Sequence, residues 1–184
     1  MALRLERVGP ALVILAVALG AAAVLFVLAG CAPSAQDADR EGATVARVGD
    51  GDTLDVREGG DRIRLLQVDA PELGEGECYA RQSKLELERL ARPGSRVELE
   101  ADSRLDGEDR FGRLLRYVHT GGTNVNVELV RRGAATPYFV GGAEGRYADD
   151  LLDAVAEARA TPRGLWGACR VEWDSRRGVV TRSG

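Results

Sequence analysis

Histidine is almost missing from this chain: its 184 residues contain one, His119. No Cys-x-x-Cys pair occurs either. Structural and catalytic zinc sites draw on several Cys and His ligands, so zinc chemistry has no ligand set here. His119 itself is expected at an exposed strand end. Aromatic residues make up only 5%, which leaves the core to Val, Leu and Ala. Positive charge is not in excess, since 25 Lys and Arg face 29 Asp and Glu, a formal net charge of -4. A polyanion binder usually carries a basic field. Any contact with nucleic acid must therefore come from local charge. No internal repeat is present.

The N-terminus reads as an export signal over residues 1–30. Arg4 and Arg7 supply its positive start, and an uncharged stretch follows from Val8 past Cys31. Pro10 to Gly30 is 21 residues, and about 20 apolar residues span a bilayer. Length alone thus allows a transmembrane anchor as well as a cleaved signal. Leu28-Ala29-Gly30-Cys31 resembles the bacterial lipobox, in which the cysteine is lipidated, and favours the second. Either route leaves the following domain outside the cytoplasm and tied to the membrane. Residues 31–42 are small, polar and charged, and are expected to be a flexible tether. With Cys31 lipidated, Cys78 and Cys169 remain as a pair, and an oxidising compartment lets them form a disulfide. The loop closed is about 90 residues, worth roughly 4–5 kcal/mol in the chain-entropy model. Two separate buried thiols are the alternative.

Residues 43–170 carry the pattern of a folded domain. Strands are expected at Ala43–Gly49 and Thr53–Arg57, joined by the turn signal Asp50-Gly51. The turn Glu58-Gly59-Gly60-Asp61 leads to a strand at Arg62–Val68, and Pro71 marks its end. Glu77 to Ala91 has helical spacing and stops at Pro93-Gly94. Strands follow at Arg96–Ala101 and Leu114–His119. A short helix over Asn124–Arg132 ends at Gly133, and Ala134–Val140 is a strand or an extended loop. Glu144–Ala160 has the strongest helical pattern, and Gly164-Leu165-Trp166 closes the domain. Residues 171–184 hold Arg176, Arg177 and Arg182 without apolar periodicity and are expected to be a loose basic tail. Strands early and helices late indicate an α+β fold, mainly β, with a small, partly open barrel capped by helices as one arrangement.

Three clusters carry chemistry. Asp50-Gly-Asp52-Thr53 begins like a calcium-binding EF-hand loop, but Leu54 occupies the fifth position and Asp55 the sixth, where that loop needs glycine. Asp52 and Asp69 can still serve as hard oxygen ligands from two strands, with the carbonyl of Ala70 as a third. Glu72, two residues on, can hold a water. Arg64 sits between Ile63 and Leu65 in an apolar strand, where a guanidinium needs solvent or a partner. Five residues separate it from Asp69, so the two meet only if the strand bends or ends between them. The third cluster, Asp109-Arg110-Phe111-Gly112-Arg113, places an aromatic face beside forked donors suited to phosphate. A hard cation, a spare carboxylate and two arginines are the inventory of phosphodiester cleavage. Each cluster alone also reads as a turn or a solvated charge.

In order and spacing, these motifs resemble the staphylococcal nuclease (thermonuclease) family from about Ala43 to Cys169. Carrying the resemblance are Asp50 to Thr53, Ile63 to Glu72, Asp109 to Arg113, Glu128 to Gly133 and Gly164 to Trp166. It implies an OB-fold, a five-stranded β-barrel capped by about three helices, and Ca²⁺-dependent hydrolysis of DNA and RNA that cuts the P–O5′ bond and leaves 3′-phosphate ends. Asp52, Asp69 and the carbonyl of Ala70 would hold Ca²⁺. Glu72 would position or deprotonate water, and Arg64 and Arg113 would bind phosphate. Arg110, Phe111 and Tyr138 would contact the substrate. The implied partners are DNA and/or RNA and, through the N-terminus, a membrane; the chain is expected to be a monomer.

This chain departs from the family's basic type member in its acidity. Ala70 replaces a threonine, Phe111 stands where tyrosine is common, and Leu73–Cys78 is short and carries Glu75 and Glu77. Weaker, more salt-sensitive or more selective binding is expected, because phosphate contacts dominate affinity. The competing readings are a non-catalytic OB-fold module that binds nucleic acid or another polyanion, and a structural envelope lipoprotein.

Overall fold

A computed structural model describes residues 40–184. The signal segment, Cys31 and most of the tether lie outside the described residues. Residues 40–184 lie in one compact unit. Among the described residues no helix is long and apolar enough to cross a membrane.

Strand β1 (Arg40–Asp50) pairs with two neighbours. Its first half runs antiparallel to β5 (Arg96–Glu100), with Arg40 opposite Glu100 and Thr44 opposite Arg96. Its second half runs antiparallel to β2 (Thr53–Val56), and the register shifts between Val45 and Arg47 and again between Val48 and Asp50. Such irregularities bend a strand, which lets one strand serve two sides of a barrel. β2 pairs with β3 (Arg62–Leu65), and β5 pairs with β6 (Leu114–Thr120), whose end pairs with the short β7 (Thr123–Asn124). A parallel pairing of β3 with β6 closes the ring of five strands. Closure leaves no free sheet edge within the barrel. The tether was expected to run to residue 42, but β1 already begins at Arg40. The guanidinium of Arg40 explains the early start, pairing with Glu98 at 3.2 Å and Glu100 at 3.3 Å.

The inward residues are small and branched, as the scarcity of aromatics required. Val45, Leu54, Ile63, Leu65, Leu99 and Val118 fill the barrel. Complete burial of one such side chain contributes about 1.5–3 kcal/mol. Helix α1 (Ala80–Leu90) buries Ala80, Ser83 and Leu87 against it. α1 starts later than the Glu77 expected, because Gly76 and Tyr79 take left-handed backbone angles in a turn that precedes it. α2 (Val125–Arg131) is capped by Asn124, whose side chain accepts from Val127 N–H. α3 (Ala148–Ala160) packs Leu151, Ala154, Val155 and Ala158 inward, and α4 (Leu165–Ala168) is a single turn. The fold is mainly β with three principal helices.

Two further differences from the sequence expectations bear on the site. The expected single strand Arg62–Val68 is split: β3 ends at Leu65, Gln67 adopts φ 57°, and the two-residue β4 (Val68–Asp69) turns away to pair with β8 (Thr136–Pro137). The expected loose tail is a β-hairpin. β9 (Cys169–Asp174) pairs with β10 (Gly178–Ser183) through six registered residues. Val179 and Thr181 are buried, and Trp173 meets Trp166 edge-on at 6.0 Å. A period-two pattern, not a helical one, holds this segment. Cys78 and Cys169 form a disulfide, with Cα atoms 6.0 Å apart, that fastens the hairpin's base.

His119 is likewise a correction. It is not exposed but 2% accessible, because β6 turns it inward at the register position opposite Glu98. Its Nε2 lies 2.7 Å from Oε2 of the fully buried Glu100. Burial holds its pKa below the ordinary histidine value, and the nearby Arg40 adds to that effect against the pull of Glu100.

Candidate active site

The break between β3 and β4 does what the spacing of Arg64 and Asp69 required. Gln67 accepts hydrogen bonds from the Tyr117 hydroxyl (2.8 Å) and Gly145 N–H (2.9 Å), and donates to the carbonyl of Ala143 (2.8 Å). Asn126 donates to the carbonyl of Leu66 (2.8 Å) and accepts from Val118 N–H (3.0 Å). The turn is thus pinned from three directions, and the chain on either side converges. Arg64 Nη2 reaches Asp69 Oδ1 and Asp52 Oδ2, each at 3.1 Å. Its Nη1 donates to the carbonyls of Leu65 (2.9 Å) and Val68 (2.6 Å).

Asp52 is 4% exposed. Its Oδ2 also accepts from Ala70 N–H at 2.9 Å, and its Oδ1 from the Thr53 hydroxyl at 2.9 Å. Gly51 makes this closeness possible. A Cβ there would stand 2.7 Å from the Cβ atoms of both Ala70 and Ser83, so only glycine lets β4 and α1 approach the turn. Burial raises the pKa of Asp69, while Arg64 and Val179 N–H work against the rise. Glu72 is pushed up to about 7, first by burial and then by the carboxylates of Asp52 and Asp50.

This crowding bears on the cation. Among the described residues no group of three or more His, Cys, Asp or Glu is arranged as a metal site. The oxygen donors expected there are the carboxylates of Asp52 and Asp69 and the carbonyl of Ala70. The charges of Asp52, Asp50 and Asp69 all act on Glu72, and the guanidinium of Arg64 bridges only Asp52 and Asp69. An excess of negative charge on hard oxygen donors fits a divalent cation such as Ca²⁺.

Arg64 also lines a cleft of about 590 Å³ together with Arg110, Phe111, Arg113 and Tyr138. The third cluster forms its rim. Asp109 accepts from Phe111 N–H (2.9 Å) and Arg113 N–H (3.1 Å), and from Arg113 Nε at 2.7 Å. These bonds hold the Asp109 carboxyl below its ordinary pKa although burial opposes them. Phe111 is 68% exposed, with the guanidinium carbons of Arg110 and Arg113 at 4.6 and 5.4 Å from its ring centre. Tyr138 is half-buried on the opposite wall, its N–H donating to the carbonyl of Gln67 at 2.9 Å.

The structure thus gathers the residues singled out from sequence into two adjoining groups. Asp52, Asp69, Ala70 and Glu72 form the acidic one; Arg110, Phe111, Arg113 and Tyr138 line the cleft, and Arg64 belongs to both. Sequence reading did not find Gln67, Asn126, Glu77 or Val179. The side chain of Gln67 acts through partners 50 or more residues away, and Asn126 reaches Leu66 across 60 residues, which no local pattern reveals. Glu77, five residues from Glu72, accepts Glu72 N–H at 2.8 Å; that spacing was the only available signal.

This barrel, with these groups at its side, is consistent with what comparison of sequences finds. Residues 62–168 match the family described as staphylococcal nuclease homologue. The chain belongs to the staphylococcal nuclease family. Asp50 and Asp52 lie outside the matched range; the other residues of the two groups lie within it. Micrococcal nuclease of Shigella flexneri is 33% identical over 161 residues, covering 81% of this chain and 85% of that protein. An uncharacterized endonuclease of Escherichia coli is 39% identical over 126 residues, covering 66% and 74%. Endonuclease YhcR of Bacillus subtilis is 32% identical over 149 residues, covering 73% of this chain but 12% of that protein. The chain spans between 12% and 65% of the Bacillus subtilis relatives it matches.

Proposed function

We propose that this protein is a Ca²⁺-dependent endonuclease that hydrolyses phosphodiester bonds of DNA and/or RNA. It would cut the P–O5′ bond to leave 3′-phosphate ends. Its place is outside the cytoplasm, held to the membrane by a lipid on Cys31 or by an uncleaved N-terminal anchor. The observation that carries the reading is the position of Arg64. One guanidinium touches the buried Asp52 and the half-buried Asp69, each at 3.1 Å, and lines the cleft that Arg113 also lines.

A phosphodiester in the cleft would be gripped by the forked donors of Arg64 and Arg113, in the geometry that arginine offers to paired phosphoryl oxygens. Arg113 is already oriented by Asp109, so little side-chain freedom is lost on binding. As charge builds on the phosphoryl oxygens, these fixed donors meet it without reorganising. Glu72, with its raised pKa, is suited to accept a proton from water near neutrality. Asp52, Asp69 and the carbonyl of Ala70 would hold the cation. When bound, Ca²⁺ supplies positive charge to the phosphoryl oxygens. Phe111 offers a ring on which a base can stack. Support also comes from the relatives named as endonucleases and as micrococcal nuclease. For the location, support comes from the N-terminal sequence.

The test is cleavage of single- and double-stranded DNA and of RNA by the full chain, with Ca²⁺ or with chelator. Ca²⁺-dependent cleavage abolished by Glu72→Gln is expected. No Ca²⁺-dependent cleavage of any substrate, with binding that is unchanged in Glu72→Gln, would replace the reading with a non-catalytic binding module.

A further inference from the structure

The match to the family stops at Ala168, one residue before Cys169, so the hairpin β9–β10 lies beyond it. The hairpin nevertheless reaches the acidic group at two points. Val179 N–H donates to Asp69 Oδ2 at 2.9 Å. Thr181 N–H donates to Glu77 Oε1 at 3.2 Å, and the other oxygen of Glu77 accepts Glu72 N–H at 2.8 Å. The Thr181 hydroxyl donates to the carbonyl of Cys78 at 2.7 Å. Strand β10 therefore holds one carboxylate of the donor set directly, and the main chain of Glu72 through one intermediary.

The approach depends on Gly178. It has φ 83°, and a Cβ there would overlap Asp69 Oδ2. The rest of the hairpin is fastened so that this contact is not left to chance. The disulfide closes its base. Trp173 Nε1 donates to the carbonyl of Pro137 at 2.8 Å, next to Tyr138. At the tip, Phe139 N–H donates to the carbonyl of Ser175 at 2.5 Å. A merely solvated tail makes no such set of directed bonds to carboxylates. Hydrogen bonds onto a ligating carboxylate fix its orientation, and their loss typically costs 10–100-fold in metal affinity.

We infer that the C-terminal hairpin is a positioning element of the active site, which holds Asp69 and the Glu72–Glu77 segment in register for a divalent cation, with the Cys78–Cys169 disulfide as its fastening. This rests on the nuclease reading above. Val179 acts only through Asp69 and touches no reacting atom. The disulfide then links cation affinity to redox state: in a reducing medium the hairpin loses its covalent base and the site loosens.

The experiment is Ca²⁺ titration by calorimetry on the full chain, oxidised, with cleavage measured in parallel. Four altered chains are compared. The first is Gly178→Ala. In the second, ligation of a synthetic 169–184 peptide at Cys169 replaces the Val179 N–H by an ester oxygen. The third is the double variant Cys78→Ser with Cys169→Ser, and the fourth is Val180→Thr, on the exposed face. Far-UV circular dichroism checks that each is folded. Gly178→Ala and the ester chain should bind Ca²⁺ about 10–100-fold more weakly. The cysteine variant and reduced wild type should be weakened in the same direction, and Val180→Thr should match wild type. The ester chain decides if another variant fails to fold, since it removes the Val179 N–H and leaves every side chain in place. Affinity in the ester chain within twofold of wild type overturns the inference. So does tighter binding, which would make Val179 a competitor of the cation. If oxidised wild type neither binds Ca²⁺ nor cleaves, the nuclease reading falls and the inference with it. Binding and cleavage that survive the ester unchanged sink the inference alone.

Discussion

Replacing Arg64 by alanine tests the arrangement most directly. The guanidinium satisfies two main-chain carbonyls and two carboxylates from a side chain that is 13% exposed. Arg64→Ala leaves Asp52 and Asp69 facing each other with no cation between them. Removing one partner of a buried ion pair costs about 3–5 kcal/mol, and partial exposure of Asp69 places this case at about 3 kcal/mol. For a unit of this size each kcal/mol moves the melting temperature by about 3–4 °C, so a drop of about 10 °C is expected in chelator at pH 7. The deficit should shrink in acid, where Asp69, whose pKa burial already raises, takes up a proton. Arg64→Lys keeps the charge but replaces a planar fork with a single nitrogen, and should lose about half as much. Activity should fall by at least about 10²–10³-fold in kcat/KM, the usual cost of one donor to the transition state. Scanning calorimetry across pH gives the answer. A melting temperature for Arg64→Ala within 2 °C of wild type at every pH, in chelator, would refute the reasoning, since the guanidinium would then be solvated and the carboxylates independent of it.

Three other outcomes follow. Glu72 has a folded pKa of about 7 against an ordinary 4.5, so its contribution favours the fold below about 4.5 and is lost as pH rises through 7. Metal-free wild type should lose stability between pH 5 and 8 relative to Glu72→Gln, and parallel melting curves in chelator would contradict this. Gly51→Ala would press a methyl against Ala70 and Ser83 and should cost about 1–3 kcal/mol, read as a lower urea midpoint at constant slope. An unchanged midpoint would mean that α1 gives way freely. Substrate affinity should fall with salt along a logarithmic slope of only about one to two net phosphate contacts, measured with a non-hydrolysable oligonucleotide; a slope near four would show that all the cleft arginines act as free charges.

Much of this was legible in the chain, and the exceptions have a common cause. Arg64 and Asp69 were separable from ordinary strand residues because a guanidinium between two apolar neighbours needs a partner, and parity demanded a break in the strand. Gln67, at φ 57°, is that break. Asp109-Arg-Phe-Gly-Arg113 was readable because its bonds are local, closing within five residues. The hairpin was not readable by the same means. Its turn spans Asp174 to Gly178, and its strands bury Val179 and Thr181 against elements 40 to 110 residues away, so the local sequence shows only arginines without a helical period. His119 failed for a similar reason. Its environment comes from Glu100 on the neighbouring strand, from Arg40 at the very start of the barrel, and from Tyr147, whose ring centre lies 5.9 Å away. Gln67 and Asn126 hold the turn through partners that only the closed barrel brings near. Short-range chemistry was visible, and long-range fastening was not.

The acidic balance of the chain takes on a different meaning once the pairs are known. A net charge of -4 seemed to weigh against a phosphate site. Yet the cleft itself is lined by Arg64, Arg104, Arg110 and Arg113 against Asp106, Glu108 and Asp109. Arg64 is held by Asp52 and Asp69, Arg104 by Asp102, and Arg113 by Asp109. Arg110 alone of the four makes no ion pair among the described residues. The carboxylates therefore do not simply oppose the substrate; they hold the guanidiniums in place before it arrives. Pre-positioned donors save the side-chain freedom that free surface arginines would lose on binding, while their built-in counter-charges keep long-range attraction low. On the proposed reading, a phosphate entering this cleft would meet guanidiniums that already hold carboxylates rather than bare cations. Such a site would give up non-specific affinity and keep the directed contacts that matter as charge develops on the phosphoryl oxygens, which would reconcile an acidic chain with the proposed phosphate-binding arginines.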